Sequence, residues 1–220
     1  MPVRAEQVSR YIDIGREHGF DAVLTISNQI TASPDESPVS VEARKGGKKV
    51  PLRHLSWWQV MTEARVHHIH RGVSDPDQAW ILGELIAYLD NERAGAGGFE
   101  DMGEKWVTVR DAARAGTLRA SDAGVRDVAA RWEQFLMYLC MGLTQDLGRE
   151  VTPIWPRNTI WPRNMSTAQR LDPRIRLLAD TGQLEASIKI PGAVGPLDVT
   201  VDLRTRQVTT AVQIDAPREG

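Results

Sequence analysis

The stretch Glu6-Gln7-Val8-Ser9-Arg10-Tyr11, running on through Gly19 into Asp21-Ala22-Val23-Leu24-Thr25-Ile26-Ser27-Asn28-Gln29, sets the reading of the chain. Val8, Tyr11, Ile12 and Gly15 recur at helical spacing, so Val3 to His18 is expected to be a helix with Gly19 as its C-cap. Ala22 to Ile26 is apolar on both faces. That is the pattern of a central strand, often a parallel one covered by helices. A helix that feeds a buried strand so early needs pairing strands far downstream. Otherwise the chain enters its domain midway.

Working outward, Thr31 to Lys49 is rich in Pro, Ser, Gly and charge and reads as a loop, with room for a short strand at Val39 to Ala43. Val50 to Leu55 is a second strand, and Pro51 places it at a sheet edge or a strand start. Ser56-Trp57-Trp58-Gln59 is a capping box, and its helix runs to about His70 with Trp57, Val60, Met61, Ala64 and His68 on one face. Asp75 and Pro76 then fit N-cap and N1 of a helix carrying Ile81, Leu82, Leu85, Ile86 and Leu89. Gly95 to Glu104 is a glycine-rich acidic loop. Trp106 to Val109 fits either a short strand or the start of a helix.

The longest helix is expected from Asp122 to Leu147, closed by Gly148 and roughly 35–40 Å long at 1.5 Å per residue. A proline-interrupted segment and a helix near Thr167 to Asp180 follow. The hydrophobic period then changes from 3.6 to 2. Leu184 to Ile190, Leu197 to Leu203 and Val208 to Ile214 alternate apolar and polar residues as an antiparallel meander with one wet face. The fold class is α+β. It divides into residues 1–71, a helical region 72–148, and 149–220 with the proline-rich connection and the meander.

Composition narrows the function classes. The chain has 220 residues, 41% hydrophobic and 25% charged, as in ordinary globular proteins. A net charge of -2 supplies no global basic field for nucleic acid. No apolar run approaches the ~20 residues that span a membrane. Charged residues appear at once at the N-terminus with no apolar segment after them, so a cytoplasmic location is expected. Cys140 is the only cysteine, which excludes an intrachain disulfide and a thiolate metal cluster. Its place on the long helix's apolar stripe makes it a core residue before a nucleophile.

Gln7 and Tyr11 stand at i and i+4, so both project from one helix face. The Gln-x-x-x-Tyr helix followed by Asp-Ala-Val-Leu-Thr-Ile-Ser-Asn-Gln resembles the second half of a PD-(D/E)XK nuclease core, the restriction-endonuclease-like fold. The resemblance covers the first 30 to 60 residues. Downstream, His54 to Trp57, Ala79 to Leu85 and Glu100 to Gly103 resemble segments of uncharacterised bacterial proteins with this core, some labelled stress-response proteins. The resemblance implies a partial restriction-endonuclease-like core in residues 1–71, with Gln7 and Tyr11 supporting backbone phosphate and metal-bound water. It also implies acidic metal ligands and a lysine upstream of Gln7, and the six residues from Met1 leave no room for them. Two carboxylates are needed to hold Mg²⁺. The chain is therefore expected to be a fragment or degenerate member with no metal site, no cofactor and no confident catalytic residue of its own. Mg²⁺ would be the cofactor of a longer protein carrying that motif. The alternative is a non-enzymatic cytoplasmic α+β module for protein–protein interaction or stress response.

Other candidates are weaker. Pro34-Asp35 and Glu42-Ala43-Arg44 imitate the nuclease signature but stand in a polar loop in the wrong order. His67, His68 and His70 point in different directions on a helix, so they cannot all face one ion. Glu100, Asp101 and Glu104 read as an exposed acidic loop. Ser27 and Ser56 lack a nucleophile elbow. Gly95 to Gly98 lacks the P-loop context, so no nucleotide cofactor is expected. Ile154-Trp155-Pro156-Arg157-Asn158 recurs as Ile160-Trp161-Pro162-Arg163-Asn164. Arg157, Arg163, Arg170, Arg174 and Arg176 make this the most basic stretch, and Trp155 and Trp161 are candidates for stacking on bases. Arg157 and Arg163 are thus the expected nucleic-acid contacts. DNA or a protein is the expected partner, with no membrane.

Overall fold

The structure is a computed structural model that describes residues 3–32, 36–39, 50–155, 167–212 and 214. It is α+β and divides into two compact units, Met1–Glu100 and Asp101–Gly220.

In the first unit, α1 (Ala5–Glu17) buries Val8 and Gly15. A Cβ at Gly15 would stand 3.3 Å from Val23 Cγ2 and 3.5 Å from Val50 Cγ1, so glycine lets the helix lie close against the strand that follows it. That strand, β1 (Val23–Ser27), pairs in parallel with β2 (Leu52–Ser56), Val23 opposite Leu52 and Ser27 opposite Ser56. Pro51 immediately precedes β2. It has no N–H to give a ladder, and its carbonyl accepts from Val23 N at 2.9 Å. The expected cover on both faces of β1 is not found among the described residues, since Leu24 and Ile26 are 54% and 41% exposed.

Ser56 ends β2 and starts α2 (Trp57–Arg65). Its side chain accepts from Gln59 N while the Gln59 side chain accepts from Ser56 N, a complete capping box. The helix then loosens into one π-helical stretch, Val66–Arg71, which carries all three neighbouring histidines. Asp75 caps α3 (Pro76–Asp90), its Oδ1 accepting from Asp77 N and Gln78 N. Only Leu89 of the apolar α3 residues is fully buried. It joins Met61 and Ala96 in a small core with Trp57, Trp58, Val60 and Ile86 around it.

The second unit has one continuous core. Trp106 begins a helix, α4 (Trp106–Arg114), rather than a strand. The long helix α5 (Val125–Leu147) starts at Gly124, whose φ of 89° keeps it in the left-handed region beside the Lys105 side chain. Any Cβ there would be strained and would collide with that side chain. Val125, Val128, Trp132, Leu136 and Cys140 of α5 pack with Leu171, Ile175 and Leu178 of α6 (Thr167–Thr181). They cover one face of an antiparallel sheet of β3 (Thr152–Ile154), β4 (Gln183–Lys189), β5 (Leu197–Asp202) and β6 (Gln207–Val212), in that order. The meander β4-β5-β6 forms as expected, but burial alternates only in β4, where Leu184, Ala186 and Ile188 are buried; β5 is half-buried throughout and every residue of β6 is exposed, Val208 and Val212 included. β3 is an additional strand whose three residues are too short for periodicity to reveal.

Candidate functional site

The sequence-derived site residues Gln7 and Tyr11 are brought together on the open face of α1. Gln7 Nε2 donates to Tyr11 Oη at 3.1 Å, and the phenol keeps its own proton to donate. Both side chains are exposed, so Tyr11 is not a core residue. The Arg10 guanidinium stands over the Tyr11 ring at 5.9 Å from its centroid. Arg10 was not singled out from the sequence, although its i+3 spacing from Gln7 was the available signal. The three groups form one polar face with a single cation, two N–H donor types and one O–H donor. Donors of this kind suit a phosphodiester oxygen, for which a guanidinium adds charge and the neutral groups fix orientation.

The polar residues Ser27 and Gln29, which close β1, hold the strand end. Ser27 is 3% exposed, and its Oγ accepts from Gln29 N at 3.1 Å. Gln29 Oε1 accepts from Val3 N at 3.3 Å and ties this loop to the start of α1. His54 on β2 is fully buried. Its Nε2 lies 2.9 Å from the Gln29 carbonyl and its Nδ1 lies 2.9 Å from Thr25 Oγ1. A carbonyl only accepts, so Nε2 carries the proton, and Nδ1 faces the Thr25 hydroxyl, whose single proton is shared between Nδ1 and the Arg53 carbonyl at 3.2 Å. Burial pushes this imidazole below its ordinary value, opposed by the bond to Gln29. With both nitrogens engaged, His54 is a tie between β1, β2 and the loop after β1, not a metal ligand.

Among the described residues no group of three or more His, Cys, Asp or Glu side chains is placed to hold a metal ion. His67 Nε2 is 3.0 Å from Arg71 Nη1, and His68 packs beside Gly83 of α3. Asn28 lines a cavity of about 330 Å³ with Trp58, Asp90, Glu92 and Glu100. Cys140 is buried in the second unit's core, and burial pushes its thiol up to about 12, which leaves no thiolate for nucleophilic attack near neutral pH.

Arg157, Arg163 and Trp161 lie outside the described residues, as do Pro34, Asp35, Glu42, Ala43 and Arg44. The neighbouring part of the basic stretch that is described faces inward. Trp155 is 1% exposed and cannot stack on a base, with the guanidiniums of Arg170 and Arg174 at 5.7 and 5.5 Å from its ring centroid. Both arginines bind Glu133, Arg170 Nε donating to Oε2 at 2.7 Å and Arg174 Nε to Oε1 at 3.0 Å. Arg174 Nη1 also donates to the Glu185 carbonyl at 2.7 Å. Burial pushes the Glu133 carboxyl up, and the two guanidiniums pull it back towards the charged form. The sequence signal for this cluster was a lone Glu133 inside the apolar stripe of α5 facing an i, i+4 arginine pair on α6. Arg170 and Arg174 are therefore core residues and leave the nucleic-acid reading of this stretch to Arg157, Arg163 and the exposed Arg176.

No helix among the described residues is long and apolar enough to cross a membrane. No protein-family model, no curated protein and no solved structure matches the chain.

Proposed function

We propose that the chain is a cytoplasmic nuclease-like protein that contacts the DNA backbone through the open face of α1 and does not cut it. The observation that carries this reading is the Gln7–Tyr11 hydrogen bond on a helix that feeds directly into β1 of a parallel strand pair. Three features support it. Arg10 adds a cation to the same face. Among the described strands β1 pairs with β2 alone. Its apolar Leu24 and Ile26 remain substantially exposed, as in a core that lacks part of its cover. The face offers hydrogen-bond donors and one positive charge for phosphate but no carboxylate pair for a catalytic Mg²⁺.

The test is a labelled duplex titrated with the chain at low salt, read by fluorescence anisotropy, beside a cleavage assay with Mg²⁺ or Mn²⁺. The expected result is binding whose logarithm falls linearly with the logarithm of salt concentration, with no cleavage. Arg10→Ala is expected to weaken binding on all sequences and to reduce the salt slope by about one. Gln7→Ala with Tyr11→Phe is expected to weaken binding with little change in slope. Absence of binding by the folded chain would overturn the DNA contact, and robust metal-dependent cutting would overturn the non-cutting assignment.

A further inference from the structure

A second surface of the first unit is built for a different purpose. The outer face of α3 carries Trp80 at 68%, Ile81 at 59%, Tyr88 at 64% and Leu85 at 36% exposure. Projected down the helix at 100° per residue, these four side chains span an arc of about 140°. Beside the Ile81–Leu85 flank runs a groove of about 640 Å³ whose apolar lining includes Val60, Ala64, Val73 and Leu82. Large side chains present roughly 150–250 Å² each when open, so at these exposures the four offer on the order of 500 Å². A standard interface takes roughly 800 Å² from each partner, a little more than half of it apolar. The patch therefore matches the apolar share of one side of such an interface.

The patch also carries its own complement. Trp80 projects from one flank of α3 and the groove opens on the other. A two-fold axis running along α3 sets each Trp80 opposite the other copy's groove, which is large enough for an indole. Self-complementarity of one patch is what an isologous dimer requires. We infer that the occupant is a second copy of this chain, and that the chain forms a two-fold dimer through α3. Glu84 stands near the middle of the same arc, so the axis brings it towards its twin, and that repulsion weakens the dimer. This inference does not rest on the nuclease reading.

The experiment is sedimentation velocity over a dilution series from tens of micromolar downward, with circular dichroism confirming the fold of every variant. The chain is expected to sediment at twice its 24.5 kDa mass at the high end and to dissociate on dilution. Trp80→Ala is expected to raise the dissociation constant at least tenfold. Glu84→Gln should lower it several-fold, because only a two-fold contact through this face sets the two carboxylates together. Phe20→Ala, on the other exposed patch of the unit, should leave it unchanged. A monomer at every concentration overturns the proposal, including a monomer whose groove takes up an apolar dye. So does a dimer that Phe20→Ala dissociates and Trp80→Ala does not.

Discussion

The two units handle apolar surface in opposite ways. The second unit, though larger, buries one continuous apolar core between α5, α6 and one face of a four-stranded sheet. The first closes only a small core around Met61, Leu89 and Ala96. Among the described residues it shows ten of the sixteen exposed large hydrophobic side chains, including every exposed aromatic: Tyr11, Phe20, Trp80 and Tyr88. Scattered exposed apolar residues are normal, but side chains concentrated on one helix face and one strand face mark contact surfaces. The second unit thus keeps most of its large apolar side chains in one core, and the first leaves more of them exposed.

The largest expected effect belongs to the closed unit. Glu133 is the carboxylate shared by two buried guanidiniums, and its removal takes that ion pair from both. Glu133→Gln is expected to destabilise the second unit by roughly 3–5 kcal/mol, the range for breaking a buried ion pair from one side. Urea unfolding followed by circular dichroism measures it. A loss below about 1 kcal/mol would mean that the cluster contributes little, and the contrast between the units would narrow.

A smaller effect is expected in the open unit and follows from pH. The buried His54 is held neutral with its pKa below the ordinary value of about 6.5. Below pH 6.5 the unfolded chain takes up the proton first, so it binds more protons than the folded chain and stability falls as pH drops. The contribution is complete above about 6.5 and is lost on acidification from there down towards the folded value. The first unit should therefore melt at lower temperature at pH 5.5 than at pH 7.5, and His54→Gln should flatten that dependence. A first-unit transition that stays level across this window would show that His54 is not the tie described above.

The same contrast explains what was legible in the sequence. Elements with strong local signals appear where periodicity and caps place them: α1 before Gly19, the Ser56 capping box, Asp75 with Pro76, the α5 stripe ending at Gly148, and the β4-β5-β6 meander. The run in β1 was expected to be covered on both faces, and the apolar stripe of α3 carried no such expectation. Pattern alone says that a face is apolar, but not whether this chain supplies the cover, and Ile81, Leu85, Leu24 and Ile26 are exposed. Trp106 reads equally as strand or helix in a four-residue window, and the packing of Val109 and Ala113 into the core decides for helix. At the candidate site, the i, i+4 spacing of Gln7 and Tyr11 was enough to place them together. Arg10 was missed because a guanidinium stacking on the neighbouring ring leaves no periodic trace. The inward turn of Arg170 and Arg174 was missed because a basic stretch looks the same in sequence whether water or a buried carboxylate satisfies it.

The central claim is that the open face of α1 is where this chain touches DNA. Hydrogen–deuterium exchange with and without a short duplex tests it most directly. The account predicts that DNA slows exchange in α1 and at the adjoining end of β1, leaves α5 and β4 unchanged, and has no effect in the Gln7→Ala/Arg10→Ala chain. Protection confined to the second unit, or none anywhere under conditions that saturate binding, would contradict it.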